Sequence, residues 1–559
     1  MSSDAGVLGR QVRHELTSLW RTPITMILSV GFPLLFFVLI ASLIGNETLD
    51  ARSGVRLAQF VAPGFASFGV VMATFSFLAV GFAEARSTGV LKRQNGTPLP
   101  RWALLGGRIG AALLLGLIAT TLVLGVGVVF YDVQLFARTL AAVVVTLVVS
   151  AVSFSALGLA AAVLLPTPQA TLAVTNGIVI PISFFSDIFV FGGTTPGWMS
   201  TLGWLFPLKH LVNVFADALN PYLTGNGFQP DHLAAIAAWG VAGAVAAAWG
   251  MRREGSRVST TARSRGRRAP AADAVPRRTV SPSGLTVLGG QVGHTSTVLW
   301  RDASSVFFAV VFPVLLVAII PTVYGGGGGV LANGQTLGAF FAATMAVYGA
   351  AVTAYVNMPQ GLAEARDRGV LKRQHAAPVP MWALLAGRVA GTLVVALLTL
   401  AVIYLVAGLM YGVGVPPAWP AALLTFVVAT ACFAVLGLAV MSLIRSAEAV
   451  VGVTLGTLLP LCFISDVFVV GVTFPPLLDR LAWVFPLRHA TRAMSLATAT
   501  DVVGSGLSWD HLGVMLAWTV AGLVVVAWRF SWVNLEPRAK SIRERATASR
   551  PVARLGRGS

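Results

Sequence analysis

Charge is what this sequence has least of. Only 11% of its 559 residues are Asp, Glu, Lys or Arg, while 56% are hydrophobic. Soluble domains carry about 25% charged residues, so this chain could not give a soluble core a polar exterior. A disordered chain is excluded by the same numbers. Cysteine is nearly missing. Cys432 and Cys462 stand singly in apolar runs, which excludes a disulfide framework and reads as two small buried side chains. No HExxH or Cys/His zinc spacing occurs, so no metal site is read. No G-x-x-x-x-G-K-[ST] loop occurs, so the chain itself does not bind ATP in the P-loop manner. No Ser-His-Asp set is arguable, because the His residues lie in different loops. Acid is scarcer than base, 21 residues against 39, a formal net charge of +18. In a soluble protein that suggests nucleic acid; here it first suggests membrane topology, and no nucleic-acid partner is expected.

What is present is a repeat. Glu84 to Ile109 and Glu364 to Val389 share 17 of 26 positions at an offset of 280. Leu19-Trp20-Arg21 and Phe32-Pro33 recur at the same offset; Ser186-Asp187 and Phe206 to His210 recur at 279. Six of the seven His residues pair across the repeat: 14 with 294, 210 with 489 and 232 with 511. Apolar runs long enough to cross about 30 Å of hydrocarbon fall near 23–45, 59–83, 102–131, 136–165, 169–192 and 232–250, then near 303–324, 336–362, 382–411, 417–444, 447–471 and 511–530. They lack the period-2 alternation of barrel strands. The expected fold is therefore an all-α polytopic membrane protein, with twelve transmembrane helices in two tandem six-helix modules, 1–250 and 285–530.

Between the modules, 251–284 is Arg-rich with Ser, Ala and Pro, and the end of the chain, 531–559, is similarly basic; both read as disordered. Val7, Val12, Leu16 and Leu19 have helical spacing among Arg10, Arg13 and Arg21, which suggests an amphipathic helix lying on the membrane. The second copy, near 285–301, shows this less strongly. With both termini cytoplasmic, the cytoplasmic segments hold 32 Lys and Arg and the outer ones 7, as the positive-inside rule requires. The basic linker and tail then suit anionic lipid headgroups.

The most informative segment follows the second span of each half: E-A-R-x-x-G-V-L-K-R-Q-x-x-x-P-x-P-x-W. Pro98 and Pro100, or Pro378 and Pro380, stop it. A short helix lying across the membrane face fits, with Val90 and Leu91 anchoring it. Glu84, Arg86, Lys92 and Arg93 then offer charge to a partner, as do Glu364, Arg366, Lys372 and Arg373. Gly89 with Leu91, and Gly369 with Leu371, belong to GVLKRQ, which recurs unchanged where flanking sequence has drifted. A solvated basic loop has no reason to be so constant, so a surface read by another molecule is inferred.

A second constellation ends each fifth span, S-D-x-F-V at Ser186 and Ser465. A carboxylate at the end of an apolar run must be paired or wetted. Lys209 and Arg488 lie 22 residues after Asp187 and Asp466, inside F-P-L-(K/R)-H with Pro207 and Pro486. A re-entrant hairpin would let the pair meet. Gly106, Gly107, Gly125, Gly127 and Gly437 read as close helix packing.

The E-x-R-x-x-G-x-L-x-R pattern between spans two and three of a six-helix unit resembles ABC type-2 transporter permeases. The resemblance covers nearly the whole chain, as two fused modules. Thr97-Pro98 keeps the family's Thr-Pro; Ala377-Pro378 departs from it. The fused form is similar to actinobacterial antibiotic and multidrug exporters of the tetronasin-resistance type. The resemblance implies that the loops are coupling helices docking two copies of an ATP-binding subunit. ATP and Mg would then lie on that subunit, with no cofactor and no catalytic residue here. It also implies an extracellular gate at Asp187, Pro207, Lys209, Asp466, Pro486 and Arg488, and export of hydrophobic or amphipathic compounds across the plasma membrane. An ion-coupled secondary transporter also fits twelve spans. Against it stands the lack of intramembrane acids, which a proton relay needs. A membrane enzyme lacks a catalytic constellation.

Overall fold

The computed structural model describes residues 4–20, 30–43, 46–50, 55–94, 96–190, 195–264, 284–325, 329–331, 334–375, 381–468, 474–499, 502 and 504–530. In the first half α1 is Asp4–Trp20, α2 Phe32–Leu43, α3 Leu57–Ser87, α4 Val90–Gln94 and α5 Arg101–Tyr131. There follow α6 Leu140–Leu164, α7 Pro168–Phe185, α8 Gly197–Gly203, α9 Pro207–Ala218 and α10 Pro230–Ser264. The second half repeats them one for one. It begins with α11 Gly284–Arg301, α12 Ala303–Val323, α13 Leu337–Asp367, α14 Val370–His375 and α15 Met381–Tyr411. It continues with α16 Trp419–Leu443, α17 Ala447–Ile464, α18 Pro476–Ala482, α19 Pro486–Ala497 and α20 Trp509–Arg529. A small antiparallel pair, β1 Thr48–Asp50 and β2 Val55–Arg56, joins α2 to α3.

In hydrocarbon the backbone must satisfy itself within the segment, and a helix does so. Eleven helices among the described residues are long and apolar enough to span. The first expected span, 23–45, is described only in part, and α2 is correspondingly short. The helices end where residues permit. Asp132 closes α5 at φ 58° and Gly412 closes α15 at φ 67°, the left-handed helix cap. Thr167 accepts the Ala170 N–H at 3.1 Å to start α7, and Ser446 accepts that of Ala449 at 3.2 Å to start α17.

The linker begins later than composition suggests. α10 runs on to Ser264, because no proline interrupts Met251–Ser264 and the first lies at Pro270. Residues 265–283 and 531–559, with most of the expected linker and the whole tail, lie outside the described residues.

α3 and α13 form the centre. Their most apolar stretches are 83% and 89% buried, and no other span exceeds 61%. Midway, each has a π-helical stretch, Met72–Phe77 and Val352–Asn357. Gly158 of α6 and Gly437 of α16 lie against these stretches; an added Cβ would sit 2.7 Å from Phe75 O and 2.9 Å from Ala354 O. α1 packs on α5, with Leu8 and Gln11 against Gly106 and Gly107 and with Glu15 3.5 Å from Arg108. α11 packs on α15 in the same way, Gln291 and Thr295 meeting Gly387 and Gly391. Gly127 meets Val133, but Gly125 faces open space, so close packing does not explain it. The halves interlock through their fifth spans: Phe184 lies in the second half's core and Phe463 in the first's.

Candidate functional site

At the end of the bundle where α3 and α13 finish, the repeated loop forms a helix–turn–helix. Gly89 at φ 75° and Gly369 at φ 70° make the turn into α4 and α14, a conformation that favours glycine. Lys92, Arg93, Lys372 and Arg373 are exposed, as is Glu84. Glu364 is half-buried, 3.0 Å from Arg368 and bonded to Gln360 at 3.2 Å.

The other motif residues turn inward. Leu91 packs on the cluster of Leu78, Phe82 and Leu159, and Leu371 is fully buried. These leucines pin the short helices to the bundle. Arg86 donates to the carbonyls of Val163 (3.1 Å) and Leu165. Arg366 donates to those of Met441 (3.0 Å) and Ile444 (2.7 Å). The sequence reading offers these arginines to a partner. The fold commits them instead to the end of the fourth span, because carbonyls of a last turn have no intrahelical donor. Trp102 and Trp382, which open the third spans, are exposed.

At the opposite end, α7 and α17 break at Asp187 (φ 60°) and Asp466 (φ 57°). The chain then folds back as the hairpins α8–α9 and α18–α19. Pro207 and Pro486 sit in the first turn of α9 and α19, where no backbone N–H is needed. Two residues on, Lys209 pairs with Asp187, which also accepts the Thr195 hydroxyl at 2.6 Å. Arg488 meets Asp466 at 2.9 Å, Asp479 at 3.0 Å and Ile464 O at 2.8 Å. Arg492 adds a second ion pair to Asp466 at 2.9 Å. Lys209 and Arg488 are only 3% exposed, and a buried cation needs this pairing.

Just below, the Phe of S-D-x-F-V enters an aromatic cluster. Phe189 lies 5.6 Å from Phe36, 5.7 Å from Phe65, 5.3 Å from Phe68 and 5.3 Å from Phe184. Phe468 lies 6.4 Å from Phe312, 5.3 Å from Tyr348 and 5.2 Å from Phe463. Phe36 and Phe463 join the halves at 4.5 Å, edge to face, the arrangement ring quadrupoles favour.

Sequence reading missed two sets. Asp479 and Arg492 have Ser200 and Asn213 as first-half counterparts, so comparing copies hid them. The histidines read as residues of different loops meet: His210 Nδ1 faces His232 Nδ1 at 2.8 Å, and His489 faces His511 at 3.1 Å. The signal was their spacing of 22 in both halves, the same as that of Asp187 and Lys209. Trp204 stacks on His232 at 5.5 Å, and Trp239 Nε1 donates to Leu205 O at 3.0 Å, tying hairpin to sixth span. Burial pushes the His210 imidazole below its ordinary pKa; the Trp204 carbonyl opposes this and His232 adds to it. Among the described residues no group of three or more His, Cys, Asp or Glu could hold a metal ion.

The comparisons agree with this architecture. The ABC-2 type transporter family matches residues 10–220 and 294–497, one stretch per half. The inner membrane transport permease YadH of Escherichia coli (strain K12) is 24% identical over 202 residues, covering 36% of this chain and 77% of that protein. The daunorubicin resistance ABC transporter permease protein DrrB1 of Streptomyces coeruleorubidus is 29% identical over 218 residues, 37% of this chain and 76% of that one. The probable multidrug ABC transporter permease YbhR of Escherichia coli (strain K12) is 24% identical over 169 residues, 30% of this chain and 44% of that one. This multi-pass chain belongs to the ABC-2 type transporter family and is the membrane subunit of an ABC transporter.

Proposed function

We propose that the chain forms the translocation path of an ATP-driven exporter in the plasma membrane. Two copies of an ATP-binding subunit dock under α4 and α14, on the cytoplasmic side with both termini. ATP and Mg would be held by those subunits. The supporting observation is that GVLKRQ, identical in the two halves, carries exposed Lys92, Arg93, Lys372 and Arg373 beyond a glycine turn. Docking moves the short helices, the spans follow, and the paired hairpins over Phe189 and Phe468 part to release substrate. The names of DrrB1 and YbhR favour a hydrophobic drug-like substrate, which suits an aromatic path.

Reversing both Glu84 and Glu364 to Lys tests this. ATP hydrolysis by the complex is expected to continue while efflux is lost, with the protein still inserted. Unchanged efflux would count against the coupling role. Transport by the chain reconstituted alone under a proton gradient would favour a secondary transporter instead.

A further inference from the structure

The arginine of each loop motif spends its charge inside the protein. α6 ends at Leu164 and α16 at Leu443. Their last carbonyls are partly to fully covered by the fold, where an unmet acceptor is costly. One guanidinium meets two of them: Val163 O and Leu165 O for Arg86, Met441 O and Ile444 O for Arg366. Guanidinium suits this, because its fork presents several donors in fixed directions.

The acceptors sit at a particular joint. Leu165 and Ile444 are where span four turns into span five, and Thr167 and Ser446 start the next helix. In the second half Asp367, also on α13, accepts the Ala447 N–H at 3.1 Å, the first residue of α17. So the last turn of α3 or α13, beside the glycine turn, grips the elbow between the fourth and fifth spans. The fifth span runs from that elbow to Asp187 or Asp466 and to the Phe of the aromatic cluster. Both halves repeat the geometry, although their flanking residues differ.

We infer that Arg86 and Arg366 are positioning residues that carry movement of α4 and α14 to the elbow between spans four and five, and are not contacts of the docked ATP-binding subunit. This rests on the coupling reading above. A guanidinium bonded to two carbonyls is a stiff link, and it ties the end of α3 or α13 to the elbow beside the direct packing of those helices on span five.

The test is the double variant Arg86→Gln, Arg366→Gln, beside Arg86→Lys, Arg366→Lys, in the full complex. Four quantities are read: co-purification of the ATP-binding subunit, ATP hydrolysis, transport, and hydrogen exchange of amides 163–171 and 442–450. In the Gln variant co-purification and hydrolysis are expected to hold, while transport per ATP falls about tenfold or more, as when reacting parts are misplaced by an ångström. Amides at the elbow exchange faster, and Lys, which keeps a charged donor, restores part of the transport ratio. A role confined to stability would lower the melting temperature and leave that ratio unchanged, overturning the inference. Loss of co-purification with unchanged exchange would make these arginines docking contacts and overturn it too. Should the unsubstituted chain bind no ATP-binding subunit, the coupling reading fails by itself. Should the Gln variant fail to insert, the Lys variant decides by its transport ratio.

Discussion

His210 donates from Nε2 to Trp204 O at 3.0 Å and turns Nδ1 to the Nδ1 of His232. A carbonyl only accepts, so neutral His210 must accept at Nδ1 and His232 must donate; the tautomers follow from the bonding pattern. His489 and His511 repeat this beside Trp483 O. Protonating His210 at Nδ1 breaks this contact or forces His232 into its other tautomer.

The pH dependence follows. Burial holds the pKa of His210 below the ordinary 6.5, so between the two values the unfolded chain binds more protons than the folded one. The dyad's stability is present above about pH 6.5 and lost as pH falls through the depressed value. Melting in detergent is expected to drop from about pH 7 to about pH 5.5. His210→Asn, which removes the imidazole that burial pushes down, with His511→Asn in the other dyad, should flatten that difference. An equal drop in the double variant would sink the idea.

In the second hairpin, removing the cation should cost more than removing one of its acids. Arg488 holds two acids and a carbonyl with its fork, whereas Lys209 holds one acid. Arg488→Ala leaves Asp466, whose side chain is 13% exposed, with Arg492 alone, and is expected to cost about 1–3 kcal/mol. Asp479→Ala removes a more exposed partner and should cost about 0.5–1 kcal/mol. Chemical denaturation of the two variants measures the gap, and comparable losses would contradict the ranking.

Glycine packing gives an internal contrast. At Gly158 a Cβ would press on the Phe75 carbonyl, backbone that cannot rotate away. Gly158→Ala is therefore expected to destabilise by about 1–3 kcal/mol through overpacking. At Gly125 nothing lies within 4 Å, and Ala there should stabilise by up to about 1 kcal/mol by helix propensity. Thermal unfolding of both variants tests the sign of each.

Spans, repeat and parallel halves were legible because hydrocarbon thickness and backbone satisfaction leave few choices. The meeting of Asp187 with Lys209 was legible from the need of a carboxylate at the end of an apolar run for a partner. What stayed hidden depends on tertiary neighbours. Arg86 reads as a surface charge until α6 places bare carbonyls beside it. The π-helical stretches leave no trace, since α3 is one continuous apolar run. The histidine pairs join α9 to α10 and α19 to α20, and no local periodicity links those helices. Arg492 and Asp479 have no charged counterpart across the repeat. The helical extension to Ser264 was hidden by charge composition, which reports solvation rather than backbone shape.

Identity of the two loops makes a prediction about stoichiometry. Gly89 to Gln94 and Gly369 to Gln374 are the same six residues, and both present their Lys-Arg pair to solvent. If that pair is read by the ATP-binding subunit, one gene product should fill both positions. Lys92→Glu with Arg93→Glu then leaves the second site intact, and stoichiometry should fall from two subunits to one. The four-residue variant, adding Lys372→Glu and Arg373→Glu, should bind none. Exposed charge pairs act mostly on association rate, so the single-site loss should be about 10- to 100-fold and shrink as salt rises. Native mass spectrometry of the purified complex reads this directly. Two subunits retained on the four-residue variant would place docking elsewhere, on Glu84 and Glu364 or on α1 and α11.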